Sequence, residues 1–92
     1  MAGVLDGVRV FDLTLAAVGP WSAKLLAHLG ADVIHVEGPE PELAHHIPPT
    51  VRGTGCLYLA ANSNKRTVVL DLKRPEQRER ALALAASCDV FV

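Results

Sequence analysis

Two short β-branched runs, VRVFDL at Val8–Leu13 and DVIHVE at Asp32–Glu37, flank a single helical pattern, and this arrangement constrains the fold more than any other feature of the chain. The helical stretch opens at Gly19-Pro20 and closes at Gly30. A proline in the first turn loses nothing by lacking an N–H, and a glycine supplies the left-handed stop. Trp21, Leu25, Leu26 and Leu29 share a side of that helix, so the pattern predicts packing through Leu25, Leu26 and Leu29, with Lys24 facing away. Strand, helix and strand follow one another at the length of a right-handed crossover, which predicts parallel strands. The first run alternates only partly, as expected of a strand covered on both faces.

The rest of the chain extends this pattern. Residues 39–55 hold four of the six prolines and two glycines, and predict a long loop with little regular structure. CLYLAANSN suits a short helix, and TVVLDL (Thr67–Leu72) a third strand. A helix beginning at Pro75 shows an apolar face of Ala81, Leu84, Ala85 and Cys88. DVFV then opens a fourth strand at Asp89 and the chain stops on an apolar residue, which predicts a piece of a larger domain. With 50% hydrophobic but only 4% aromatic residues, the core must be aliphatic, as in sheet and helix layers, and the fold class is α/β.

Charge and motifs exclude several functions. A net charge of −1 removes a whole-chain electrostatic case for nucleic acid or an anionic membrane surface. No run approaches the ~20 apolar residues that span a bilayer, so a cytoplasmic protein with reduced Cys56 and Cys88 is expected. TLAAVGPWSA after the first strand is not the G-x-G-x-x-G of a dinucleotide fold, and no Walker sequence occurs. His45 and His46 are adjacent, their side chains diverge, and no third ligand stands at a characteristic spacing, so no metal is expected. His28 falls at a helix end, His35 packs within a strand, and Glu37 sits where a strand-end carboxylate either grips a ribose or caps the strand. The densest local chemistry is Asn62, Ser63, Asn64, Lys65 and Arg66 ahead of the third strand. Arginine offers a planar fork to phosphate, lysine a compact charge, and the amides can hold a base or sugar edge. On these residues alone, an anion site and a solvated turn remain equally open.

GVRVFDLT, the GP opening the helix, LLAHLGADVIHVE, NSNKRTVVLDLK and CDVFV, in this order, resemble the class III coenzyme A transferases, the CaiB/BaiF family that includes formyl-CoA and carnitine-CoA transferases and α-methylacyl-CoA racemases. The resemblance covers nearly the whole chain and matches the N-terminal part of a family member. It implies that residues 1–92 belong to a Rossmann-like large domain, a parallel sheet flanked by helices, truncated at Val92. It further implies an interlocked homodimer, with an acyl-CoA and a carboxylic acid as substrates and coenzyme A as the only cofactor. The implied CoA-binding positions are Ala17, Pro20, Asn62, Ser63, Asn64, Lys65 and Arg66. Ala17 replaces a glutamine that some formyl-CoA transferases carry, so its position carries over but that side-chain contact does not. Gly38 stands where many members place an arginine or proline, and the proline-rich loop departs from the family's glycine-rich segment. The family's nucleophilic Asp would lie beyond Val92, so the 92 residues alone are expected to be inactive. The alternatives are a racemase of the same family and a non-catalytic CoA-binding or assembly fragment.

Overall fold

A computed structural model of the chain describes residues 3–40 and 42–92. Strand β1 (Arg9–Asp12) leads through helix α1 (Val18–His28) to β2 (Asp32–Glu37). A 3-10 turn (Leu43–His45), a two-stranded hairpin of β3 (Thr50–Val51) and β4 (Thr54–Gly55), and α2 (Cys56–Ala61) come next. The chain closes with β5 (Arg66–Val69), α3 (Pro75–Ala86) and β6 (Val90–Phe91). The main sheet has the order β5-β2-β1-β6 and all its pairings are parallel. The chain therefore steps outward from β1 to β2 and β5, and α3 carries it back to the other side of β1. This reversal creates a topological switch point at the carboxyl ends of β1 and β6, the place where open α/β sheets bind ligands.

Alternation along the strands divides the core into two layers. Val10 and Val33 pack against Ala23, Ala27 and Ala31 on the α1 side, while Phe11, Val36 and Leu70 meet Ala81 on the α3 side. Leu84, Ala85 and Cys88 join that second layer, so the apolar face expected of α3 is the one it buries. Phe11 also stacks on Phe91 at 5.1 Å, tying β6 to the sheet.

Helix α1 packs through a different face from the one its leucines predict. Its buried residues are Pro20, Ala23 and Ala27, whereas Leu25 is 54% exposed and Trp21 and Leu29 are also exposed. Leu26 alone of the three leucines joins the core. Small side chains let the helix backbone settle close to the sheet, and that closeness puts it within hydrogen-bonding range of residues reaching across the strand face. Lys24, expected to stand apart, lies 3.8 Å above the Trp21 ring. The turn after α1 depends on Gly30, whose φ is +107° and whose missing side chain leaves room for Gly3.

Two sequence expectations are adjusted by the sheet. Strand β5 ends at Val69 rather than Leu72, and the proline-rich loop holds the short hairpin and the 3-10 turn. Leu70 N still bonds Glu37 O at 2.8 Å, but the chain then bends as Lys73 N and Asp71 Oδ1 close a local turn. The packing makes a direct prediction for α1. Ala27→Leu should cost ~1–3 kcal/mol through overpacking, and Leu25→Ala less than ~0.5 kcal/mol, in urea unfolding of the two variants. Equal losses would return the leucine face to the core.

Candidate functional site

At the carboxyl end of β1, Asp12 is completely buried, as is His35 opposite it on β2. A buried carboxylate needs partners, and Asp12 has a full set. Thr14 donates to Oδ1 through its backbone N–H at 3.0 Å and again through its hydroxyl. Lys65 Nζ donates to Oδ2 at 2.8 Å, and His35 Nδ1 lies 3.1 Å from the same oxygen. Burial by itself would raise the Asp12 carboxyl, but the hydrogen bonds from His35, Lys65 and Thr14 outweigh it and hold the group well below the usual carboxylate range. An ionised Asp12 can only accept, so His35 carries its proton on Nδ1. Gly19 is needed nearby, because a Cβ there would lie 2.6 Å from Thr14 Cβ and prevent α1 from closing over this corner.

The residues nominated from sequence divide between the two ends of α1. Ala17 caps the helix, its carbonyl accepting from Trp21 N at 2.9 Å, and Pro20 is buried in the first turn. Both lie by the switch point. Ser63 and Asn64 instead meet the last turn, with Ser63 Oγ 3.3 Å from His28 Nε2 and Asn64 Nδ2 donating to Ala27 O at 3.0 Å. Asn64 takes a positive φ of 64°, which asparagine tolerates better than most residues. Pro20 and Ala27 are about 10 Å apart along the helix at ~1.5 Å per residue.

Lys65 bridges the two ends. Its side chain is fully buried, and Nζ donates to Asp12 Oδ2, Pro20 O at 2.9 Å and Asn62 Oδ1 at 2.8 Å. An ammonium has three protons, and all three are engaged. The sequence expectation of an ammonium held out toward a phosphate therefore meets a different geometry: Lys65 points inward and locks α1 and the end of α2 to β1. Asn62, which also donates to Tyr58 O at 3.0 Å, is oriented by the same contact. Arg66 is the outward cation of the pair. It grips Asp32 through Nε at 2.9 Å and Nη2 at 2.6 Å, and remains 64% exposed. Arg9 Nε lies 3.5 Å from Asp32 Oδ2, the oxygen that Arg66 Nη2 also contacts.

The carboxyl edge of the sheet carries a cavity of about 430 Å³, lined among others by Leu13, Val36, Glu37, Gly38, Leu70 and Asp71. Glu37 borders it and also belongs to a second polar group that sequence reasoning missed. Its Oε1 accepts from His45 Nε2 at 3.0 Å, and the His45 ring stacks on Tyr58 at 3.7 Å. Burial opposes ionisation of Glu37, yet the donors His45 and Tyr58 bring its carboxyl below the ordinary value. Burial raises the Tyr58 phenol, and the adjacent Glu37 raises it further. Glu42 stands beside this group with both carboxylate oxygens buried and no protein partner among the described residues, and burial raises its carboxyl. Only a loop folded back on β2 brings His45 and Glu42 to Glu37, so their spacing in sequence held no signal.

The chain matches the model of CoA-transferase family III over residues 5–92. It is 41% identical over 95 residues to succinyl-CoA:mesaconate CoA-transferase of Haloarcula hispanica, covering 98% of this chain and 24% of that protein. It is 43% identical over 94 residues to formyl-CoA:oxalate CoA-transferase of Afipia carboxidovorans, covering all of this chain and 22% of the relative. Among solved structures, a CAIB/BAIF family protein from Brucella suis superposes with a TM-score of 0.91 at 35% identity, over 99% of this chain and 25% of that one. The fold and these matches define a CoA-transferase architecture. The chain belongs to CoA-transferase family III, and it spans about a quarter of the length of these relatives.

The buried pair at the centre has a measurable signature. Lys65→Ala leaves Asp12 charged and short of a partner, and should cost ~3–5 kcal/mol in denaturant unfolding. The Asp12 carboxyl is depressed in the folded state, so its stabilisation is complete above the ordinary carboxylate range near ~3.9 and is lost as the pH falls through its folded value. In that window Asp12→Asn should flatten the acid dependence of stability by one proton, about 1.4 kcal/mol per pH unit. An unchanged slope would show that Asp12 is not the charged partner.

Proposed function

We propose that this chain forms the CoA-facing part of the large domain of an enzyme that moves CoA between an acyl-CoA and a carboxylic acid, working in the cytoplasm as a homodimer. The observation that carries the proposal is the family match across residues 5–92, which takes in every nominated position. The names of the succinyl-CoA:mesaconate, formyl-CoA:oxalate and succinyl-CoA:glutarate relatives favour transfer over racemisation. Among the described residues no helix is long and apolar enough to cross a membrane.

In this proposal Ala17 and Pro20 form the wall of the CoA site at the start of α1, and the Asn62–Arg66 segment forms its cationic side. Their roles differ. Lys65, with its three protons engaged, fixes the Pro20 carbonyl and the Asn62 amide in place and adds positive charge from beneath. Ser63 and Asn64 line the site while holding the segment against the last turn of α1, and Arg66 is the outward charge that meets the ligand. Arg66 can exchange its two bonds to the half-exposed Asp32 for two bonds to a phosphate, since its planar fork suits either anion. The nucleophile that attacks the thioester, splitting the transfer into covalent steps, would come from the remainder of such an enzyme.

Titration calorimetry with CoA on the complete protein carrying this chain tests the assignment. Charge-assisted contacts are worth ~1.5–3 kcal/mol, so Arg66→Ala should weaken CoA at least ~10-fold. Arg78→Ala, on the exposed face of α3, should leave it unchanged. Equal affinity in Arg66→Ala and the unaltered protein would return the segment to a solvated turn. Failure of the complete protein to exchange CoA between an acyl-CoA and free carboxylic acids would overturn the transferase proposal itself.

A further inference from the structure

We propose that His35, Glu37 and Glu42 form a binding site for a divalent transition-metal ion of the zinc type, independent of the CoA site. His35 Nε2, one carboxylate oxygen of Glu37 and one of Glu42 all lie within 4.8 Å of one another. Glu37 and Glu42 bring two part-buried carboxylates close together, and their mutual repulsion is relieved by a cation held between them or by a proton on one of them.

The second observation comes from His35. Its ring is completely buried on the central strand β2, and Nε2 has no hydrogen-bond partner among the described residues. Glu37 Oε1 stands 3.7 Å from it, beyond hydrogen-bonding range. The opposite ring nitrogen donates to Asp12, so in the neutral imidazole Nε2 turns a lone pair toward the two carboxylates. A carboxylate that holds Nδ1–H while Nε2 faces a metal is the usual support of a histidine ligand, since it fixes both tautomer and ring orientation. Asp12 is itself held by Lys65 and Thr14, which makes the donor direction rigid.

The dimensions and the donor set fit the ion. Ligands in a tetrahedral zinc site, with bonds of ~2.1 Å, are separated by roughly 3.4 Å. The three ligand atoms already lie within 4.8 Å of one another, which leaves at most about 1.4 Å to close to that separation. One imidazole nitrogen and two carboxylate oxygens suit a borderline ion, and leave a fourth position for a small ligand. His45 Nε2, 3.0 Å from Glu37 Oε1, steadies that carboxylate from the side. Glu37 also lines the 430 Å³ cavity at the carboxyl edge, which gives an ion a route from solvent.

The test uses Zn²⁺ by competition with a chromophoric chelator and Co²⁺ by its visible absorption, on the complete protein carrying this chain. The expected result is one equivalent of either ion and a rise in melting temperature with Zn²⁺. Glu42→Gln and His35→Gln should each weaken binding at least ~10-fold, the lower bound for disturbing a metal site's supports. His46→Gln, an exposed loop histidine, should leave it unchanged. If His35→Gln does not fold, Glu42→Gln decides, since it removes a buried charge without changing shape. Absence of stoichiometric binding, or binding that survives Glu42→Gln, would overturn the site.

Discussion

The structure depends on one buried ion pair. Asp12 and Lys65 are 53 residues apart, and both side chains are fully excluded from solvent. Such a pair gives little net stability over an apolar substitute, but removing either partner strands a charge in the interior. What it supplies is position. Through Lys65 the same ammonium holds the first turn of α1, the end of α2 and the carboxyl end of β1, so three elements share one reference point. Small residues on α1 make this possible, because a leucine-packed helix would stand too far from the sheet for Pro20 O to meet Nζ.

This anchoring changes how a cationic motif should be read. Two adjacent basic residues ahead of a strand look equivalent in a sequence, yet the fold sends them in opposite directions. Lys65, just before β5, turns beneath α1 to Pro20 O, while Arg66 follows Phe11 and Ile34 onto the other face and reaches the Asp32 carboxylate at the amino edge. One becomes an internal tie and the other an external charge. The polar groups of Ser63 and Asn64 are committed to the last turn of α1, so the segment is a built junction and not a mobile turn.

His35 connects that anchor to the proline-rich loop. It takes its tautomer from Asp12 and presents its other nitrogen to Glu37 and Glu42, so the order imposed by the ion pair passes across β2 to a second polar group. Gly55 secures the loop in that position, since a Cβ there would come 2.1 Å from Ala44 O. The loop is thus held against β2 by backbone contact as well as by the His45–Glu37 hydrogen bond.

Local patterns in the sequence were sufficient for the elements and their class: β-branched runs for β1 and β2, Gly19-Pro20 and Gly30 for the limits of α1, Pro75 and the alanine face for α3. The family motifs were equally legible, because they are contiguous. Three things were decided only by tertiary structure. The buried face of α1 was set by how closely a helix can approach a sheet, a quantity to which alanines contribute by what they lack, and hydrophobicity alone pointed to the leucines. The inward turn of Lys65 was set by a carboxylate 53 residues away together with the Pro20 carbonyl and the Asn62 amide. The grouping of His35 with Glu37, Glu42 and His45 was set by the return of an irregular loop onto β2. A loop has no periodicity from which to read its path, so which of its side chains meet is fixed by the surface it packs against.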